Sequence, residues 1–311
     1  MAETVVLIPN YNGMKHLEKC LESLQRQTYG DFQIVIIDNG STDRSCELIT
    51  DRFPKVQIIE MEKNYGFAGA VNKGITATQS TYVSLLNNDV EVDPRWLEEL
   101  VKALVDNSGV GAVACKMLNF YSRDEIDAAG DVLSRSGSAV ARGHGERDKG
   151  QYDAEDEVFG PCAGAALYRR NIFESVGLFD DDFFAFYEDI DFDFRMQLQG
   201  WKAKYVPSAV CYHKRGATIQ GMRAFAVRLH VRNHLMYMMK NIPVRILFGR
   251  FPLIVVSWLK SWYNYVRSGN LLPVVLGIAG AVLMIPSVVR KRREIQAKRR
   301  VPVEYIRSMM Q

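Results

Sequence analysis

The sequence predicts an α/β fold, a doubly wound and mostly parallel sheet, on three observations. Apolar runs of strand length alternate with segments of helical period from Thr4 to Leu86, which is the pattern of βαβ units. The run Tyr82–Leu86 stops abruptly on Asn87-Asn88-Asp89, and Gln33–Ile37 stops on Asp38. Buried parallel strands read as continuous hydrophobic runs, and ligands of open sheets gather at their carboxyl ends. The composition, 48% hydrophobic and 24% charged over 311 residues, is that of a globular chain able to bury one large core.

Thr4–Pro9 is the first strand, and the loop Asn10-Tyr11-Asn12-Gly13 follows it. Leu17, Cys20, Leu21 and Leu24 recur at helical spacing and predict a helix over His16–Gln27. Ile34–Ile37 is the second strand. Ser41–Arg52 reads as a helix capped by Ser41 or Thr42, whose hydroxyls can accept from its free N–H groups. Val56–Glu60, Gly69–Thr78 and Tyr82–Leu86 follow as strand, helix and strand. Pro94 suits a first helical turn, so Pro94–Asp106 continues as helix. Val110–Lys116 is a further strand. Ser134–Asp156, rich in Gly, Ser and charge, reads as a mobile loop region. Regularity returns with Ala165–Tyr168 and the acidic stretch Asp180–Asp193.

Charge divides the chain at Asn241. From there to Gln311 lie twelve basic and two acidic residues, so a tail of +10 follows a body of −7. The tail is also apolar. Phe251–Leu259 is flanked by Arg245, Arg250 and Lys260, and Leu271–Val289 carries no charge before Arg290-Lys291-Arg292-Arg293. As one helix, those nineteen residues would reach about 28 Å, just short of a hydrocarbon core. A single span would put the basic tail across the membrane from the body, against the positive-inside bias. A hairpin of two segments, or helices lying in the interface, keeps both sides cytoplasmic. The first segment is short and flanked by charge, so interfacial or re-entrant helices are expected over two full spans, with Trp258, Trp262, Tyr263 and Tyr265 at headgroup level. A helical hairpin buried on the body is the alternative. Two parts are expected: residues 1–241 as the α/β domain and 242–311 as membrane-associated helices. No aromatic-basic interleaving marks a nucleic-acid reader. The five cysteines lack CxxC spacing, which argues against zinc and for a reducing compartment. The amino terminus lacks the basic region of a signal peptide, so the expected place is the cytoplasmic face of the cell membrane.

Several residues could do chemistry. Asp38 can accept hydrogen bonds from a base or ribose, or cap the turn Asn39–Asp43; the residues alone leave both open. Asn64-Tyr65-Gly66-Phe67-Ala68-Gly69 leads into a helix, where small residues let the backbone approach phosphate oxygens. Asp89, with Asn87, can coordinate a hard divalent ion that bridges a diphosphate, or simply end a strand in a turn. Glu188 and Asp189 follow the aromatic run Phe183–Tyr187. Desolvation by rings raises carboxylate basicity, so one of them can take a hydroxyl proton; a solvated helix start is the plain alternative. His213 is a candidate ligand, although a lone histidine is more often structural.

In combination these segments resemble glycosyltransferase family 2. The resemblance is carried by Ile8–Gly13, Ile36–Asp43, Asn64–Asn72, Leu85–Asp89, Gly160–Arg170 and Tyr187–Trp201, with His213 after them. It covers Thr4 to Asn241, and Arg228–Asn241 with Arg232-Asn233-His234 looks like the segment closing this domain in rhamnosyltransferase-like members. The resemblance implies a GT-A fold, a nucleotide-sugar donor and inversion at the anomeric centre. By matching motif, Pro9, Tyr11 and Asp38 would line the nucleotide pocket. Asn64, Gly66 and Gly69, with Asn87 and Asn88, would lie near the diphosphate or sugar. Asp89 would be the surviving ligand of the family's Asp-x-Asp element for Mg²⁺ or Mn²⁺, with Asn87 in the first acidic position. His213 would be a further metal ligand. Asp189 would be the catalytic base, with Glu188 orienting it or the acceptor, and Gly164 would border the acceptor side.

The expected activity is inverting transfer of a sugar, with dTDP-rhamnose as preferred donor. The expected acceptor is lipid-linked or a glycan, in cell-surface polysaccharide synthesis. Two alternatives stay open: an idle membrane-docked nucleotide-sugar-binding subunit, and a polyprenyl-phosphate glycosyltransferase. A homo-oligomer is open as well. A processive synthase is disfavoured, because Gln197-Leu198-Gln199-Gly200-Trp201 lacks the Gln-x-x-Arg-Trp element.

Overall fold

The computed structural model describes residues 2–215 and 222–311. The first half alternates as expected: β1 (Thr4–Asn10), α1 (Met14–Leu24), β2 (Phe32–Asp38), α2 (Ser45–Arg52), β3 (Gln57–Glu60), α3 (Gly66–Ala77) and β4 (Tyr82–Leu86). Then come β5 (Val90–Val92), α4 (Trp96–Val105), β6 (Val110–Asn119), β7 (Ile126–Ala128), β8 (Asp131–Leu133), β9 (Ala139–Ala141), β10 (Asp156–Val158) and β11 (Ala165–Arg169). The body closes with α5 (Arg170–Val176), α6 (Glu188–Leu198) and β12 (Lys202–His213). Six helices follow: α7 (Arg223–Asn241), α8 (Val244–Gly249), α9 (Phe251–Arg267), α10 (Leu271–Leu283), α11 (Ile285–Ala297) and α12 (Val303–Ser308).

Ten strands make the main sheet in the order β10-β12-β6-β11-β4-β1-β2-β3, with β5 beside β12 and β7 beside β6. The segment β4-β1-β2-β3 is parallel throughout. The other half is mixed, because β11 enters antiparallel between β4 and β6. The mostly parallel sheet expected from the sequence is thus a mixed one. Every residue of β4 is buried, as a central strand covered on both faces requires. One core lies against α1, α2 and α4, with Leu17, Ile49, Trp96 and Leu100; the other lies against α3, α5 and α6, with Val71, Ile172 and Phe192.

Several ends shift by two or three residues; Pro94, for one, precedes α4 rather than entering its first turn. Three larger departures have a visible cause. Helix α2 starts at Ser45, and neither Ser41 nor Thr42 caps it. The Ser41 hydroxyl accepts from Asn12 N (2.9 Å), Thr42 N donates to Asn12 Oδ1 (2.7 Å), and Asp43 Oδ1 accepts from Ser45 N (3.1 Å). The window Ser134–Asp156 holds β9, which pairs with β8, and Lys116 ties it down through Asp148 (3.0 Å) and Asp153. Its partners lie outside the window, so local composition does not show them. Leu271–Val289 is two helices bent by 58°. Pro286 stands in the first turn of α11, where its missing N–H and ring end α10.

The helices after Asn241 share a core with the body. Ile242, Ile254, Val288, Ile306 and Met310 pack with Leu133, Phe159, Phe183 and Phe194. Gln311 N donates to Leu133 O (2.9 Å), and Tyr305 Oη donates to Gln197 Oε1 (2.8 Å). Helix α10 lies directly on α7: a Cβ on Gly277 would stand 2.7 Å from Arg228 O and 2.8 Å from Val231 Cβ. Of the run Arg290–Arg293, two members turn inward. Lys291 pairs with Asp180 (2.5 Å) and Asp182 (2.6 Å), and Arg292 donates to Met239 O (2.6 Å) and Ile242 O (2.9 Å).

Candidate active site

The carboxyl ends of β1, β2 and β4 meet in a network of amides. Asn88 Nδ2 donates to Asn10 Oδ1 (2.8 Å), and Asn10 Nδ2 donates to Asp38 Oδ1 (3.1 Å). Asn39 Nδ2 donates to Asn64 Oδ1 (3.0 Å) and Gly66 O (2.9 Å), and Asn64 Oδ1 also accepts from Gly66 N (2.8 Å). These bonds hold the loops after β1, β2, β3 and β4 as one floor. Above it opens a cavity of about 630 Å³, a size suited to a small-molecule ligand.

Asp89 lines this cavity, where the chain turns from β4 to β5. His213, at the end of β12, brings Nε2 to 3.5 Å from Asp89 Oδ1. Its Nδ1 lies 2.7 Å from Asp127 Oδ2. A carboxylate only accepts, so Nδ1 carries the hydrogen and Nε2 turns toward Asp89. Burial opposes charge on His213, but Asp127 and Asp89 outweigh it and push its pKa up to about 9. Burial likewise works against the Asp127 carboxylate, yet His213, Arg215 and His144 hold it below its usual range. Among the described residues no three metal-ligating side chains converge. Two protein donors nonetheless suit a hard divalent ion, which takes remaining ligands from phosphate and water. The Asp127–His213 bond is the support that orients a ligating imidazole. The residues present therefore fit the expected ion.

Glu188 and Asp189, which also line the cavity, open α6. Asp189 Oδ1 accepts from Ile190 N (2.8 Å) and Oδ2 from Ala163 N (3.3 Å). Burial raises the Asp189 pKa, against the pull of these N–H groups. Glu188 is raised further by burial and by Asp189 beside it, and its Oε2 is buried without a partner. Both carboxylates are thus desolvated by burial rather than set on a solvated helix start. Asp131, on β8, also lines the cavity; burial, Asp189 and Asp127 push its pKa up to about 8. Phe184, Phe186, Tyr187, Phe225 and His230 form an aromatic wall.

The cavity gathers Pro9, Tyr11, Asn64, Gly66, Asn87, Asn88, Asp89, Gly164, Glu188, Asp189 and His213. Asp38 and Gly69 stand behind it. Asp38 accepts from Asn10 and from Ser41 N (3.0 Å), so it shapes the floor, and Gly69 lies one turn into α3 beneath Tyr65. Sequence reasoning missed Asn39, Asp127, Asp131, Arg215 and His230. Asp127 meets His213 across 86 residues of chain, and no local pattern announces such a pair.

Comparison with known proteins agrees with this geometry. The model of the family described as Glycosyl transferase family 2 matches residues 5–177, more than half of the chain. Uncharacterized protein y4gI of Sinorhizobium fredii is 28% identical over 228 residues, which cover 68% of this chain and 24% of that protein. The N-acetylglucosaminyl-diphospho-decaprenol L-rhamnosyltransferase of Mycobacterium tuberculosis is 28% identical over 241 residues, covering 68% of this chain and 76% of the enzyme. The chain thus spans about a quarter of the first relative and three quarters of the second. The mannosyltransferase PcManGT of Pyrobaculum calidifontis, solved with GDP-Man and Mn²⁺, superposes with a TM-score of 0.58 at 20% identity. That match covers 99% of this chain and 86% of the mannosyltransferase, and it shows the GT-A fold. With its parallel strands ending on one lined cavity, the chain belongs to glycosyl transferase family 2.

Proposed function

We propose that this chain transfers a sugar, with inversion, from a nucleotide-sugar donor to a hydroxyl of a lipid-linked or glycan acceptor in cell-surface glycan synthesis. The observation that carries the reading is one cavity lined by both the Asp89–His213 pair and the desolvated Asp189. The amide floor and the α3 entry receive the nucleotide diphosphate. The aromatic wall receives the acceptor. Asp189 removes the acceptor's O–H proton as that oxygen bonds to the anomeric carbon, and the bond from that carbon to the diphosphate oxygen breaks. One displacement inverts the centre. Asp89 and His213 would hold a divalent ion, which supplies charge neutralisation for the departing diphosphate.

The preferred donor is dTDP-rhamnose, by resemblance and by the rhamnosyltransferase among the relatives. The place of action is the cytoplasmic face of the membrane. Phe248, Phe251, Leu259, Leu272 and Leu283 are exposed on the carboxyl-terminal helices, apolar side chains that a membrane interface would cover. No single helix among the described residues is long and apolar enough to span; only the bent α10–α11 pair passes, on length and composition. An interfacial seat suits these helices.

The test is a panel of dTDP-, UDP- and GDP-sugars with and without Mn²⁺, read by thermal shift and nucleotide release. Binding at 100 times the dissociation constant stabilises by about 2.7 kcal/mol, an easily measured shift. A shift with one nucleotide and sugar transfer abolished in Asp189→Asn is the expected result. No shift with any nucleotide would sink the enzyme reading; a shift without turnover would favour an idle binding subunit.

A further inference from the structure

The segment leading into Asp189 is backbone-strained. Phe184 (φ 66°, ψ −65°) is the centre of a three-residue turn closed by Ala185 N donating to Phe183 O (2.8 Å). Phe186 (φ 67°) and Tyr187 (φ 69°) are left-handed as well. Three non-glycine residues out of four occupy a region L side chains avoid. Such a turn persists only where its surroundings over-determine it.

One face of α7 supplies that restraint. His230, Asn233, His234 and Tyr237 recur at helical spacing, and all four meet the turn. The His230 ring lies 4.3 Å from that of Phe186, and Tyr187 stacks on His234 (5.3 Å) and Tyr237 (5.4 Å). Asn233 is wholly buried. Its Nδ2 donates to Phe183 O (2.9 Å), Ala185 O (2.8 Å) and Phe186 O (2.8 Å), while its Oδ1 accepts from Arg232 Nε (2.8 Å). Arg232 in turn donates to Asp182 O (2.8 Å) and Phe183 O (2.9 Å). No other side chain available to L-proteins presents an uncharged two-hydrogen donor on so short a stem.

We infer that Asn233 is a positioning residue for sugar transfer: it holds the Phe183–Tyr187 turn in its strained form, so that Asp189 and the aromatic wall face the cavity. The inference rests on the reading of Asp189 as base. Asn233 itself touches neither the amide floor nor the Asp89–His213 pair, and the turn it holds meets the α3 entry through Ala68 N donating to Phe184 O (3.2 Å), so nucleotide binding is expected to depend on it far less than turnover does.

The test uses the full chain. In Asn233→Ala, amide hydrogen exchange over residues 181–190 is expected to rise about tenfold or more, with β1 and β4 unchanged. With the donor found by the panel above, turnover is expected to fall about 100-fold, the cost of a small misplacement, while donor KM and the nucleotide-induced thermal shift stay within about twofold. Asn233→Ser, keeping one donor, is expected to lie between, and Arg232→Met to shift exchange in the same segment. If Asn233→Ala fails to fold, these two variants decide. Unchanged exchange and turnover, or loss of nucleotide binding in step with turnover, would overturn the inference. An active Asp189→Asn would instead remove the base, leaving the exchange result to judge whether Asn233 holds the turn.

Discussion

Asp189 and Asp193 sit on the same helix, and burial acts on both with different consequences. For Asp189 the raised pKa places its proton-accepting form at higher pH than an ordinary aspartate. The acid limb of the transfer rate should therefore lie above the range of an ordinary aspartate, with activity falling as pH drops through it. A pH–rate profile whose acid limb matched an exposed carboxylate would contradict that environment. Asp193 is wholly buried with neither oxygen partnered, and its pKa is raised well above 3.8. The folded state then binds more protons than the unfolded one above that value, so stability falls as pH rises. Asp193→Asn removes the penalty. The variant should match the parent near pH 4 and gain on it by up to about 1.4 kcal/mol per pH unit as pH rises, measured by urea unfolding at several pH values. Asp127 belongs to this scale too. Its pairing with His213 is the clearest contact of the candidate site that the sequence hides.

Elements were legible where their cause is local. Tyr82–Leu86 is read to the residue because all five side chains are buried in a central strand. The start of α2 is misread by four residues because Ser41 and Thr42 are engaged by Asn12, a contact spanning about thirty residues. The turn at Phe184–Tyr187 has no signature at all, since left-handed backbone is ordinarily announced by Gly or Asn and here the residues are aromatic. Its neighbour at the start of α3 does follow that rule. Gly66 opens α3 at φ +77°, and a Cβ there would lie 2.2 Å from Phe184 O. Both the backbone angle and the approach of the two elements require glycine. Gly66→Ala should cost more than about 2 kcal/mol, the left-handed penalty plus the displaced carbonyl. It should also raise hydrogen exchange in the Phe184 turn, whose carbonyl accepts from Ala68 N (3.2 Å). Loss of stability without movement of that turn would show the two elements to be uncoupled.

At the scale of the molecule, the acidic body and basic tail are less separate than their charges suggest. Lys291 and Arg292 close onto the body, and α12 returns to β8 and α6. Removing everything after Asn241 would strip Ile242, Val288, Ile306 and Met310 from a shared core, so truncation tests folding before it tests membrane binding. The outward face is the better target. Phe251, Leu259, Leu272 and Leu283 are 59%, 58%, 66% and 81% exposed; replacing them by Ser removes no core contact. Immersing each in an interface is worth about 1 kcal/mol when partial, so the fourfold variant should weaken vesicle binding by about three decades. Co-sedimentation with phosphatidylglycerol-containing vesicles reads this directly, with unchanged unfolding as the control. Salt separates the contributions: the charge attraction of Arg290 and Arg293 is screened at high ionic strength, whereas the apolar part persists. Equal sedimentation of parent and variant would remove the membrane from the account of this surface. Helix α10, which carries Leu272 and Leu283, seats on α7, and α7 holds the turn before Asp189. The same variant assayed on vesicles therefore also reports whether docking reaches the site: a donor turnover that rises on vesicles in the parent should stay flat in the variant.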